Sequence, residues 1–293
     1  MTISNSMLNV ASRAKASLGP FSRQVLRFVM GRMAPDGGFC GRSDASDLYY
    51  TVFGIDCLLA LSGRVPTAKG RQFVMEYGDG ADLDLVHLGC LARCWSRLPV
   101  SPSRATRNKL HHRLRSYRCP SGGYHTTRGA RRGSVSGTFL ALQAFEDLGV
   151  DERLAEALPD IVKTLRAQDG GYANEPRMRS GSTHATAGAA LLLQRAGDEV
   201  PGRLVDWLLA RVDTNGGFLA SPQAPMPDLL STATALYALD SLGVSLERIR
   251  EPCMAFVERL QSESGGFCGH WMDDTPDCEY TYYALLALGS LIE

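Results

Sequence analysis

The sequence predicts an all-α protein, an α/α toroid in which six helical hairpins close into an α6–α6 barrel. Three observations carry that prediction. First, Gly-Gly-aromatic recurs at Gly37-Gly38-Phe39, Gly122-Gly123-Tyr124, Gly170-Gly171-Tyr172, Gly216-Gly217-Phe218 and Gly265-Gly266-Phe267. Second, the steps between copies are 85, 48, 46 and 49 residues, so the long first step holds a degenerate unit, at Tyr77-Gly78-Asp79-Gly80 followed by Leu88-Gly89-Cys90-Leu91. A period of roughly 45 residues accommodates two helices and a loop. Third, each unit sets a charged amphipathic helix before one that is apolar nearly all round, and a helix of the second kind must be buried. The buried helices form an inner ring and the charged ones an outer ring. An open solenoid is the alternative, but it would expose a large apolar inner face.

The elements follow in order. Residues 1–19 read as a lead-in without the apolar block of a signal peptide. Residues 20–293 read as one toroid domain. Pro20 to Met33 is the first outer helix, with Val25, Leu26, Phe28 and Val29 as its apolar stripe. Asp36-Gly37-Gly38-Phe39 closes it, because Gly ends a helix in the left-handed conformation at no Cβ cost. The first inner helix opens at Asp47 and runs to Leu59. Arg64 to Met75 is the outer helix of the degenerate unit, and the inner helix after Asp82 and Asp84 carries His87, read as a core histidine. Arg104 to Arg118 is a strongly basic, solvated outer face. Buried inner segments follow at Thr138–Leu142, Ala187–Leu193 and Ala233–Leu239, with amphipathic outer helices at Arg203–Val212 and Pro252–Gln261. The last inner helix follows Asp277 and runs through Leu285.

Composition narrows the function. The 31 basic and 31 acidic residues balance, whereas a nucleic-acid binder usually shows a basic excess. No apolar stretch reaches the length of a membrane span. Eight cysteines occur without a C-x-x-C pair and read as small buried hydrophobes of a cytoplasmic protein.

The candidate site residues lie at the starts of the inner helices. Asp47, Asp228 and Asp277 each precede a Thr by four residues, where a carboxylate either caps free N–H groups or faces a ligand. Arg128, Arg131 and Arg132 precede the third inner helix, and Arg177 and Arg179 precede the fourth, which His184 opens. If the barrel closes, these arginines share a rim with helix N-termini, an arrangement suited to phosphate or diphosphate. Asp273-Asp274-Thr275-Pro276-Asp277 spells D-D-x-x-D, but Pro276 argues against the continuous helix on which that motif binds magnesium diphosphate.

The repeat resembles the prenyltransferase/squalene-oxidase repeat, and the six-unit plan is similar to the β-subunit of protein prenyltransferases. The likeness runs from about Pro35 to Leu291 and is carried by Tyr49-Tyr50-Thr51-Val52-Phe53-Gly54-Ile55-Asp56-Cys57-Leu58, Gln168-Asp169-Gly170-Gly171-Tyr172 and Asn215-Gly216-Gly217-Phe218. It implies an apolar funnel for an isoprenoid and a rim zinc held by D-x-C and a His. Here those places read Asp228-Leu229-Leu230 and Tyr280, so zinc, which needs three or four protein ligands, is not expected. Cys268, His270 and Cys278 are the residues left for an unconventional zinc site. A diphosphate ligand would admit Mg2+. The chain is also similar to class II terpene cyclases, whose D-x-D-D-T motif supplies a general acid. Here that stretch reads Asp277-Cys278-Glu279-Tyr280-Thr281, with Glu279 in the acid's place. Such cyclases generally use two barrel domains, and this chain has one.

The leading expectation is a zinc-independent, prenyltransferase-like transferase. Arg131, Arg132, Arg177, Arg179 and His184 hold the diphosphate, Tyr49, Tyr50, Tyr237, Tyr280 and Tyr283 line the isoprenoid site, and Asp47, Asp228, Asp277 and Glu279 act at the rim. The alternatives are a terpene-cyclase-like enzyme with Glu279 as acid, and a non-catalytic isoprenoid-binding or protein-interaction scaffold whose barrel its own aromatics would fill. The resemblance leaves open a helical-repeat partner subunit or a homodimer.

Overall fold

The computed structural model describes residues 1–99, 101–152 and 154–292. Six inner helices, α3 (Leu48–Ala60), α5 (Leu85–Arg97), α7 (Val135–Asp147), α9 (Thr183–Ala196), α11 (Leu229–Ser241) and α13 (Cys278–Ser290), pack each against the next, and α13 packs back on α3. The ring is closed, as the repeat predicts. Around it lie α2 (Ser22–Gly31), α4 (Thr67–Glu76), α6 (Arg104–Arg115), α8 (Leu158–Lys163), α10 (Gly202–Leu209) and α12 (Glu247–Arg259). The degenerate unit is the α4–α5 hairpin.

Two features differ from the sequence expectation. The Gly pair does not end the outer helix. α12 ends at Arg259, and Gly265 lies beyond it in a turn closed by its N–H to Ser262 O at 3.0 Å, with Gln261 bridging antiparallel to Phe267. The turn needs glycine because it abuts the next outer helix. A Cβ on Gly216 would lie 1.9 Å from the carbonyl oxygen of Pro252 on α12, and one on Gly265 would lie 2.7 Å from that of Gln24 on α2. The second contact carries the outer ring from the last unit to the first. The other difference is that α12 runs through Pro252 from Glu247 rather than starting there.

The Thr that follows each turn has a fixed task. The N–H of Phe39, Tyr124, Tyr172, Phe218 and Phe267 donates to Thr51, Thr138, Thr186, Thr232 and Thr281 Oγ1 at 2.8–3.2 Å. In the first, fifth and sixth units the same hydroxyl donates to the carbonyl of the helix-capping Asp, at 2.6–2.7 Å. The bond ties the loop to the inner helix while the aromatic ring enters the core. Thr281→Val keeps the shape and removes the acceptor, leaving a buried N–H unpaired. It should cost about 1–3 kcal/mol, read as a lower urea midpoint at unchanged slope. A midpoint equal to the parent's would show that the bond contributes nothing.

The lead-in is itself structured. Residues Ile3–Leu18 form helix α1, capped by Thr2, and it packs on α13, α3 and α7. α13 and α7 stand on opposite sides of the ring, so α1 crosses the barrel end where the inner helices finish. Its contact with α13 is backbone-close: a Cβ on Gly289 would lie 1.9 Å from Val10 O. Its start is tied to α7 by Ile3 N–H to Glu146 (2.7 Å) and Ser4 Oγ to Asp147 (2.7 Å). The loop-lined rim is the opposite end of the barrel. No helix among the described residues is long and apolar enough to cross a membrane. All eight cysteines are free and buried.

Candidate functional site

The barrel encloses a cavity of about 330 Å³ walled by all six inner helices and by Met7 of α1. It is not filled by its own aromatics. The wall is layered, because residues four and three apart share a helix face. The first residue of each inner helix is fully or almost fully buried. Of the second residues, Tyr49, Val86, Ser136 and His184 line the rim end of the cavity; Leu230 and Glu279 occupy the same position on α11 and α13. The sixth residues, Phe53, Cys90, Leu140, Gly188, Thr234 and Tyr283, all line the middle. Of the ninth, Arg93, Gln143, Leu191, Tyr237 and Leu286 line the floor, and Asp56 lies against Arg93. Rim and floor layers are seven residues apart, about 10 Å at 1.5 Å per residue.

The rim layer brings together Tyr49, Glu279 and His184. The Tyr49 hydroxyl donates to Glu279 Oε1 at 2.5 Å. Burial pushes the half-buried Glu279 carboxyl above the usual carboxylate range, with the Tyr49 bond working against it. His184 is pushed the other way by burial, toward the neutral imidazole, with Asp228 opposing. Tyr49 stacks edge-on to Phe53 at 5.0 Å, and Phe53 lies 5.7 Å from Tyr283.

The structure separates the sequence candidates. Tyr49, His184, Tyr237 and Tyr283 line the cavity. Tyr50 and Tyr280 are third residues of their helices and turn to the loops instead. Tyr50 packs against Gly41, and Tyr280 packs against Gly269 beneath Arg42, whose Cζ is 5.6 Å from the ring centroid. Asp47, Asp228 and Asp277 cap their helices, accepting from Tyr49, Ser231 and Tyr280 N–H at 2.6, 2.8 and 2.9 Å. Asp277 is 1% exposed and also paired with Arg42 Nε at 3.1 Å. Asp273 pairs with Arg42 at 2.6 Å and accepts from Gly269 and Thr275 N–H, so the D-D-x-x-D stretch is a folded loop. Arg131, Arg132, Arg177 and Arg179 are exposed on the third and fourth rim loops, and none lines the cavity. His87 is a rim residue rather than a core one, 2.8 Å from Asp84 and 3.8 Å from Asp47.

The donors for a rim zinc do not fit. Both Asp228 oxygens are engaged by Ser231, and Leu230 and Tyr280 stand where thiolate and imidazole would be needed. Cys278 is fully buried against Cys57, while the His270 ring accepts from Met272 N–H at the surface loop. Among the described residues no three His, Cys, Asp or Glu side chains are grouped to hold a metal ion.

Several functional-looking residues escaped the sequence reading: Arg42, Asp56, Arg93, Gln143 and Met7. Asp56 and Arg93 had a readable signal, since each is a charge inside an otherwise apolar helix and such charges are rarely buried unless paired. Arg42 is a lone loop arginine whose partners lie more than 230 residues away, and nothing local marks it.

Comparison with known proteins places this architecture. The family model of the prenyltransferase alpha-alpha toroid domain matches residues 4–218 and 197–292. No match to the sequence is found among curated proteins. Among solved structures, a protein from Actinoplanes superposes with TM-score 0.66 at 17% identity, covering 94% of this chain and 99% of the other. The type II terpene cyclase MstE from Scytonema gives 0.61 at 14%, covering 94% and 97%. A possible member of the GH105 family from Klebsiella pneumoniae subsp. pneumoniae also gives 0.61 at 14%, covering 94% and 92%. At these identities the likeness is one of fold, and a fold hosts unrelated chemistries.

Proposed function

This chain belongs to the prenyltransferase alpha-alpha toroid family, and from that premise we propose that its barrel takes up an unsaturated isoprenoid-type chain whose cyclisation Glu279 starts by protonation. The observation that carries the reading is the position of Glu279. It shares the rim layer of an aromatic-walled cavity and touches it through the Tyr49 hydroxyl at 2.5 Å. Burial raises its pKa, so more of it holds a proton near neutral pH.

In the proton-bearing state the hydrogen bond turns round: the Glu279 carboxyl donates to Tyr49 Oη, and as Tyr49 gives its own hydroxyl proton to an alkene carbon it takes the proton of Glu279, which is left as the carboxylate. The carbocation left on the chain is attacked by the next double bond, closing a ring. The faces of Phe53, Phe139 and Tyr283 offset the positive charge. The product cation then loses a proton, for which His184, disfavoured as imidazolium by burial, stands in the same layer. The product is an isomer of the substrate with one more ring and one fewer double bond. The neighbour MstE, a type II terpene cyclase also captured with geranylgeranyl dihydroxybenzoate, is matched over 97% of its chain. One barrel is therefore enough chain for such an activity in that protein.

Prenyl transfer from a diphosphate has less support. It relies on Arg131, Arg132, Arg177 and Arg179, which are exposed on rim loops outside the cavity wall. The test is incubation with geraniol and with geranyl diphosphate, followed by mass-resolved product analysis. A cyclic isomer of unchanged mass supports the reading. Release of pyrophosphate without such an isomer would turn the assignment to transfer. Thermal stabilisation without any product would leave a binding barrel; ligand at 100 times its Kd stabilises by about 2.7 kcal/mol.

A further inference from the structure

The cavity floor leaves polar groups incompletely matched: Arg93 Nε has no partner, and Asp56 Oδ2 touches Arg93 as an ion pair without accepting a hydrogen bond. Arg93 is 7% exposed and lines the cavity. Its Nη2 meets the Tyr282 hydroxyl at 3.1 Å and the Asp56 carboxylate, but its Nε has no hydrogen-bond partner. Gln143, the equivalent residue on the neighbouring helix and 9% exposed, gives its amide N–H to the thioether of Met7 at 3.7 Å. A thioether is a weak acceptor. Asp56 does not satisfy the floor alone, because it also serves Arg97 at 2.6 Å, so two guanidiniums share one carboxylate. The other carboxylate near them, Asp147, accepts instead from Ser4 Oγ at 2.7 Å. A buried N–H left unpaired is costly, and buried polar groups are otherwise almost always satisfied.

We propose that Arg93 and Gln143 form a subsite for a carboxylate, so that the barrel's ligand is an unsaturated acid that enters carboxylate first. The acid group rests on the floor and the hydrocarbon runs past Phe53, Leu140 and Tyr283. A double bond about 10 Å away, at the spacing of the two layers, meets Tyr49 and Glu279. This inference rests on the barrel-binding half of the proposed function and extends it: it names the group at the inner end of the ligand and fixes the direction of binding.

Binding of geranic acid, geraniol and methyl geranate to the full chain separates the two ideas. The three share one hydrocarbon chain and differ in the end group. Hydrogen bonds to a charged group predict that the acid binds about 10–100-fold more tightly than the alcohol or the ester. Arg93→Lys should retain part of that preference, and Arg93→Met should abolish it, with a far-UV circular-dichroism spectrum like the parent's showing that the variant is folded. Equal binding of all three by the parent would overturn the carboxylate subsite and leave the isoprenoid barrel standing. An acid preference that survives Arg93→Met would overturn the role of Arg93. If none of the three bound, both the subsite and the barrel reading would fall.

Discussion

Glu279→Gln should lower the cyclisation rate by about 10²–10⁴-fold, the usual contribution of a positioned general acid, while the Kd for the unreacted chain stays within about threefold. Glutamine keeps the size of the side chain and still accepts the Tyr49 hydrogen bond seen at 2.5 Å, so the rim layer should hold its shape. What it loses is the transferable proton. The proposed cyclisation by the parent protein should also slow as pH rises through the elevated pKa of Glu279, because only the protonated form can act. Tyr49→Phe should produce a loss of similar order, since that hydroxyl links the carboxyl to the cavity. Product formation at the parental rate by Glu279→Gln would remove Glu279 from the chemistry.

Asp56→Ala should destabilise the fold by about 3–5 kcal/mol, the range for breaking a buried ion pair by removing one partner. Asp56 is fully buried, and its carboxylate lies between Arg93 and Arg97. Without it two guanidiniums remain in a low-dielectric floor with neither paired to a carboxylate, Asp147 being nearby but hydrogen-bonded to Ser4. The loss should spread to α1, because Arg97 also holds Asn5 Oδ1 at 2.5 Å and Ser4 O at 2.7 Å. Guanidinium-chloride unfolding followed by far-UV circular dichroism reads the change directly. A loss below about 1 kcal/mol, typical of exposed pairs, would mean that water reaches these charges. Asp56→Asn should fall between the two, since one amide oxygen can still accept from Arg97.

The ring was legible because its cause is periodic. Each turn repeats a Gly against the next outer helix and, in five units, an aromatic in the core with a Thr that ties the two together. A period survives even where one unit has lost its Gly pair. The site was legible only in part. Tyr49, His184, Tyr237 and Tyr283 reach the cavity, while Tyr50 and Tyr280 do not. The difference is one position along a helix, which rotates a side chain by about 100°, and it can be assigned only once the helix start is fixed. The helix-opening aspartates offered two roles in sequence, cap or ligand. The structure gives all three as caps. The assembly of the floor was hidden for a different reason. Arg93 on α5, Gln143 on α7 and Met7 on α1 come together only through ring closure and through a segment outside the repeat.

That outside segment sets where the barrel ends. Met7 belongs to α1, which lies flush on Gly289 and is not part of any hairpin. Part of the chamber's reach is thus set outside the ring, so exchanging Met7 for a smaller or larger side chain can deepen or shorten the chamber while every residue of the six inner helices stays as it is.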